Sequence, residues 1–107
     1  MNNKKERIAD AINRSRDELF ELSKKIHDHP ELGFEEFQAV EAISSVLERH
    51  GFQVQKGYGG LQTAFRADKA GKGKGPNVAF LAEYDALRGI GHGCGHNLIA
   101  TCSTGAF

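Results

Sequence analysis

Residues 89–97 read GIGHGCGHN, with glycine at every second position from Gly89 to Gly95, interleaved with Ile90, His92 and Cys94 and followed by His96. A thiol two residues from an imidazole is either a donor pair for a metal ion or a nucleophile beside its base. In extended or gently turned backbone, residues two apart project to one side. Cys94 and His96 then reach a common ion with His92 alongside, and the glycines leave its coordination sphere uncrowded. Thiolate with imidazole suits zinc or another borderline divalent ion. Just upstream, Glu83 and Asp85 in AEYDAL are placed to orient an imidazole or to add an oxygen ligand. The nucleophile reading requires His92 or His96 held to the Cys94 sulfur as base. Phosphate-binding alternatives fail on spacing. The sixth position of a Gly-x-Gly-x-x-Gly pattern is Cys94 when counted from Gly89 and His96 when counted from Gly91. The Gly–Lys alternation of DKAGKGKGPN (68–77) likewise lacks the spacing of a Walker loop.

These residues need elements to hold them. Ile8, Ile12, Ser15, Leu19, Leu22 and Ile26 fall on one face of an amphipathic helix running to about His27. HDHPELG breaks it, because Pro30 excludes helical geometry at His29 and Gly33 supplies a turn. A second helix is expected over about 34–50, with Phe37, Val40, Ile43 and Leu47 inward, glutamates in its first turn and Gly51 as a left-handed cap. FQVQK and LQTAFRA alternate as a hairpin-like pair around the GYGG turn. Val78–Ala82 is a continuous apolar run, the mark of a strand buried on both faces, and it ends in Glu83, Tyr84 and Asp85. The following NLIATCSTGAF starts a helix with Asn97 as N-cap and Cys102 as a small buried apolar residue. The order predicts an α/β sheet domain whose ligand crevice lies outside the strand ends, where the glycine-rich loop falls.

Composition narrows the function. At 107 residues the chain holds one domain at most. Lys and Arg number 14, as do Asp and Glu, so the basic surplus expected of a nucleic-acid binder is missing. No apolar run approaches the roughly 18 residues of a membrane span, and MNNKKERIAD has no apolar stretch of a secretory signal behind its basic residues. Two cysteines without an export signal point to a reducing cytoplasm.

HDHPELGFEE (27–36), LAEYDAL (81–87) and GIGHGCGHN resemble the N-terminal part of the metal-dependent aminoacylase and carboxypeptidase family. Within it they are most similar to the branch of aminobenzoyl-glutamate hydrolases, indole-acetyl-amino-acid hydrolases and dipeptidases. The resemblance runs from about Glu18 onward. It implies the N-terminal part of a mixed-sheet, helix-flanked metallopeptidase catalytic domain over 1–107, with an inserted lid and dimerisation domain elsewhere. It implies hydrolysis of the amide bond of N-acyl amino acids or small peptides, two divalent ions of zinc or manganese, and a homo-oligomer at full length. Carried over by position, Cys94 and His96 are metal ligands and Asp85 supports them. His92, Glu83 and Asn97 stand around the site, and the segment holding His27 and His29 is structural. Two residues depart from the pattern. Arg88 replaces the usual Pro after DAL, and Asn97 stands where the wider family has Asp, although this branch often has Asn. The family's general-base glutamate and remaining ligands are expected beyond these 107 residues, so the chain by itself is expected to be inactive. The rival reading is a small non-catalytic metal-binding or protein-interaction module.

Overall fold

The long amphipathic face expected over Ile8–His27 folds as two helices, α1 (Asn3–Arg14) and α2 (Arg16–Asp28), broken at Ser15. The computed structural model describes residues 3–107. At the break the Ser15 N–H is shared between the carbonyls of Ile12 at 3.0 Å and Ala11 at 3.3 Å, a tightened last turn of the kind common at helix ends. Asn13 and Ser15 favour such ends over helix interiors. Asp17 and Glu18 then place negative charge in the first turn of α2, where the helix dipole favours it. Only the second half of the predicted face is well buried. Leu22 and Ile26 lie in the core, whereas Ile8 is 64% exposed.

The next helix, α3 (Phe37–Arg49), begins later than the sequence pattern suggests. Val40, Ile43 and Leu47 face inward as expected, joined by Ala39 and Val46, while Phe37 points to solvent. No glutamate lies in its first turn; Glu35 and Glu36 precede it, and the capping carboxylate comes from Glu31. The other end closes as predicted. Gly51 has φ +84°, and Gly51 N–H and Phe52 N–H donate to the Glu48 and Leu47 carbonyls at 3.1 and 3.0 Å. That is the paired bonding of a glycine-terminated helix, which a left-handed residue makes possible.

Two strands follow, β1 (Gln53–Lys56) and β2 (Phe65–Asp68), paired antiparallel with Val54 opposite Ala67. They form the two-stranded sheet of the chain. The expected buried strand Val78–Ala82 does not form: residues 76–86 run without a ladder, and Val78 and Leu81 are 69% and 82% exposed. A strand of this composition needs neighbours on both edges and cover on both faces, and none of the described residues pairs with it. Phe80 instead packs against Phe107, whose ring also contacts Phe52 at 4.3 Å between centroids. The α/β expectation thus holds as a combination of helices with a small antiparallel sheet.

The last helix, α4 (His96–Ala106), begins at His96 with Gly95 as its cap, so Asn97 is not the N-cap. Cys102 on this helix is exposed rather than buried. Ala100 of α4 joins Tyr84 and the inward residues of α2 and α3 in one core cluster. The radius of gyration is 14.6 Å, against about 13 Å for a compact chain of this length, and α1 buries no residue. No helix of the described residues is long and apolar enough to cross a membrane.

Candidate metal centre

Among the described residues, Leu81–Ala86 pairs with no strand, yet the segment Leu81–Leu87 is pinned at several points. The Ser103 hydroxyl donates to the Leu81 carbonyl, and the Tyr84 hydroxyl to the Thr63 carbonyl. Ala86 N–H donates to the Glu31 carbonyl at 2.7 Å, and Leu87 exchanges two hydrogen bonds with Gly91, each 2.9 Å. Asp85 therefore sits between fixed neighbours. A turn over residues 88–90 leads into a short 3-10 turn, His92–Cys94, rather than the extended backbone the glycine alternation suggested. In this geometry residues two apart do not share a side. Between Cys94 and the first residue of α4 stands Gly95, left-handed at φ +80°. An L-residue adopts that conformation only at a cost.

Cys94 and His96 meet around one oxygen. The Asp85 main-chain carbonyl lies 3.7 Å from the Cys94 sulfur and 3.0 Å from His96 Nδ1. The Asp85 carboxylate lies 2.7 Å from the same Nδ1. With its proton on Nδ1, His96 donates to both oxygens of Asp85, the arrangement that orients metal-binding histidines. The other ring nitrogen, Nε2, then presents its lone pair to the Glu83 carboxylate 3.2 Å away. A lone pair facing a carboxylate oxygen is unfavourable unless a proton or a cation lies between them. The donor set of thiol, imidazole and carboxylate suits a zinc-type ion. In number it falls short, for among the described residues no three or more His, Cys, Asp and Glu side chains are grouped to hold a metal.

Of the remaining sequence candidates, His92 lies beneath the site. It is 8% exposed, its ring centroid is 6.5 Å from that of His27, and neither ring nitrogen has a well-formed hydrogen bond. Burial first, then the neighbouring imidazoles of His27 and His96, push its pKa down, against the weaker pull of Asp85 and the Ile26 main chain. Asn97 turns away from the donors: it is buried and its amide donates to the Ser23 hydroxyl at 3.2 Å, tying α4 to α2. His27 and His29 are exposed. His29 Nδ1 meets the Lys25 carbonyl at 2.9 Å, at the end of α2.

Sequence reasoning missed three supports. Glu31 accepts the Gln38 and Ala39 N–H groups at 2.9 and 2.8 Å; an acidic residue just before a helix start was its only signal. Glu36 is 9% exposed with one carboxylate oxygen unpartnered, and burial, reinforced by the charge of Asp85, raises its pKa against the lowering pull of nearby N–H groups. Tyr84, stacked on Phe65 at 6.0 Å, is pushed up to about 12 by burial and by Glu36.

No family model matches the chain. Its sequence is similar to a subunit of the p-aminobenzoyl-glutamate hydrolase of Escherichia coli (strain K12), 40% identical over 92% of this chain and 24% of that protein. It is also similar to the Xaa-Arg dipeptidase of Homo sapiens, 40% identical over 94% of this chain and 26% of the relative. N-acetyl-L-cysteine deacetylase of Bacillus subtilis (strain 168) is 32% identical over 83% of this chain and 24% of its own length. The chain spans about a quarter of the length of these relatives.

Proposed function

The chain belongs to the aminoacylase/amidohydrolase family, and from that premise we propose that the protein hydrolyses amide bonds in N-acyl amino acids or small peptides. In this reading Cys94 and His96 are ligands of a divalent ion, zinc or manganese, and the complete protein carries two such ions in a homo-oligomer. The observation that carries it is Asp85, whose carbonyl and carboxylate together hold the Cys94 thiol and the His96 imidazole.

Asp85 fixes the His96 tautomer, so Nε2 is the nitrogen that binds. Glu83, opposite Nε2, adds an oxygen ligand or holds the ring in place. Cys94 acts as a thiolate ligand, which removes it as a free nucleophile. A bound divalent ion would supply polarisation of the scissile carbonyl and activation of water near neutral pH. The general base, a glutamate in the family pattern, is assigned to none of the residues present.

The test uses the protein as its own cell makes it. Release of free amino acid is followed over a panel of N-acyl amino acids and dipeptides, with chelator and then with zinc or manganese restored. Turnover that requires the metal and falls at least about a hundredfold in Cys94→Ser is expected, given the usual loss when a metal ligand or its support is removed. No turnover across the panel, or full activity in Cys94→Ser, overturns the reading.

A further inference from the structure

Asp85 is 54 positions from Glu31 in sequence, yet Glu31 touches its neighbour and spans two elements at once. Both oxygens of the Glu31 carboxylate are used, accepting Gln38 N–H and Ala39 N–H at 2.9 and 2.8 Å. These are two of the orphan donors at the start of α3, in the place where the helix dipole favours an anion. The same residue's main-chain carbonyl accepts Ala86 N–H at 2.7 Å, one residue past Asp85. Its predecessor Pro30 lies 3.7 Å from the point where a Cβ on Gly91 would stand. Residues 30 and 31 thus bear on both ends of the turn that separates Asp85 from Cys94.

The strap that Glu31 anchors is also held under tension. Between Glu31 and α3, Phe34 has φ +69°, a conformation that is a genuine outlier for a bulky residue. Its side chain is 75% exposed, so packing does not hold it there. What does are the bonds on either side, Glu35 N–H to the Leu32 carbonyl at 2.9 Å and the Glu31 cap. Strain of this sort persists only where the surroundings over-determine it.

We propose that Glu31 is a positioning residue for the Asp85–His96–Cys94 group: its carboxylate, locked on the start of α3, fixes its own carbonyl on Ala86 and so sets where Asp85 meets His96. Only the functional consequence rests on the metal-ligand reading above; the positioning itself does not.

The experiment reads His96 directly in the full protein, by the 15N shifts of its ring and the solvent exchange of its Nδ1 proton. Glu31→Ala is expected to speed that exchange up to about tenfold, the factor that the net worth of a hydrogen bond gives, and to move the ring shifts toward those of an unconstrained imidazole. Glu31→Gln keeps an oxygen that accepts one of the two N–H groups, and is expected to fall about midway. Val46→Ala, a core truncation on α3 about two turns beyond the Glu31 cap, serves as the stability control and leaves His96 as in the parent. Unchanged His96 signals in Glu31→Ala, or the same change in Val46→Ala, overturn the proposal. Should Glu31→Ala fail to fold, a folded Glu31→Gln with parental His96 exchange overturns it equally. Cobalt titration of the parent separates the two ideas: the absence of a thiolate charge-transfer band sinks the ligand reading, while the exchange result still decides the role of Glu31.

Discussion

Truncation of Asp85 is the sharpest perturbation of the centre. Its carboxylate lies 2.7 Å from His96 Nδ1, with 42% of the Asp85 side chain and 21% of the His96 side chain exposed. A charge-assisted hydrogen bond is worth about 1.5–3 kcal/mol. The exposure of Asp85 brings the expectation just below that range, to about 1.4 kcal/mol after solvent screening, or about tenfold in metal affinity. The loss is bounded because the main-chain carbonyl of residue 85, at 3.0 Å from Nδ1, survives any substitution. Asp85→Asn keeps an acceptor oxygen and loses only the charge, so about threefold is expected of it. Zinc affinity is measured by competition with a chromophoric chelator, alongside Asp28→Ala, a comparably exposed carboxylate paired with Lys24, which leaves affinity unchanged. If Asp85→Ala binds zinc within twofold of the parent, or Asp85→Asn binds more weakly than Asp85→Ala, the carboxylate does not orient His96 and the reasoning fails.

Glu36→Gln tests the buried carboxylate. Its folded pKa is raised, so the folded chain binds more protons than the unfolded one, and stability falls as pH rises from the ordinary glutamate range near 4.5 through the folded value. Denaturant midpoints across about pH 4–7 should show that decline in the parent and a flatter profile in the variant; parallel profiles contradict it. Ile43→Ala empties the centre of the core, where the side chain is 0% exposed, and should cost about 2–4 kcal/mol by chemical denaturation. Gly95→Ala meets no atom within 4 Å but must hold φ +80°, and should cost about 1–2 kcal/mol from backbone strain alone. Gly93→Ala instead brings a Cβ to 2.6 Å from Ile90 Cγ2, a methyl held by the stiff χ1 of a β-branched side chain, so a loss of stability at least as large is expected there.

Much of this architecture is legible residue by residue, because the physics that forms it is local. The inward stripe of α3, its glycine cap and the β1–β2 hairpin follow from periodicity and from the backbone freedom of Gly51. The candidate site residues are equally plain, since chemistry alone marks a thiol, two imidazoles and two carboxylates gathered in fourteen residues, 83–96. What the sequence could not determine depends on distant partners. Val78–Ala82 has the composition of a buried strand and forms none, because pairing belongs to the neighbours and not to the segment. Phe37 and Cys102 face solvent because the helices pack through their other sides. His92 packs near His27 and Asn97 bonds to Ser23 because a 3-10 turn and Gly95 turn the chain where simple alternation would have kept it straight. Glu31 and Glu36 carry no signal stronger than an acid near a helix start, yet one caps α3 and braces Ala86 while the other sits buried beside the centre. Side-chain identity is a property of the sequence; which oxygen of Asp85 meets which nitrogen of His96 is decided by hydrogen bonds that close across dozens of residues, and these exist only once the chain has folded.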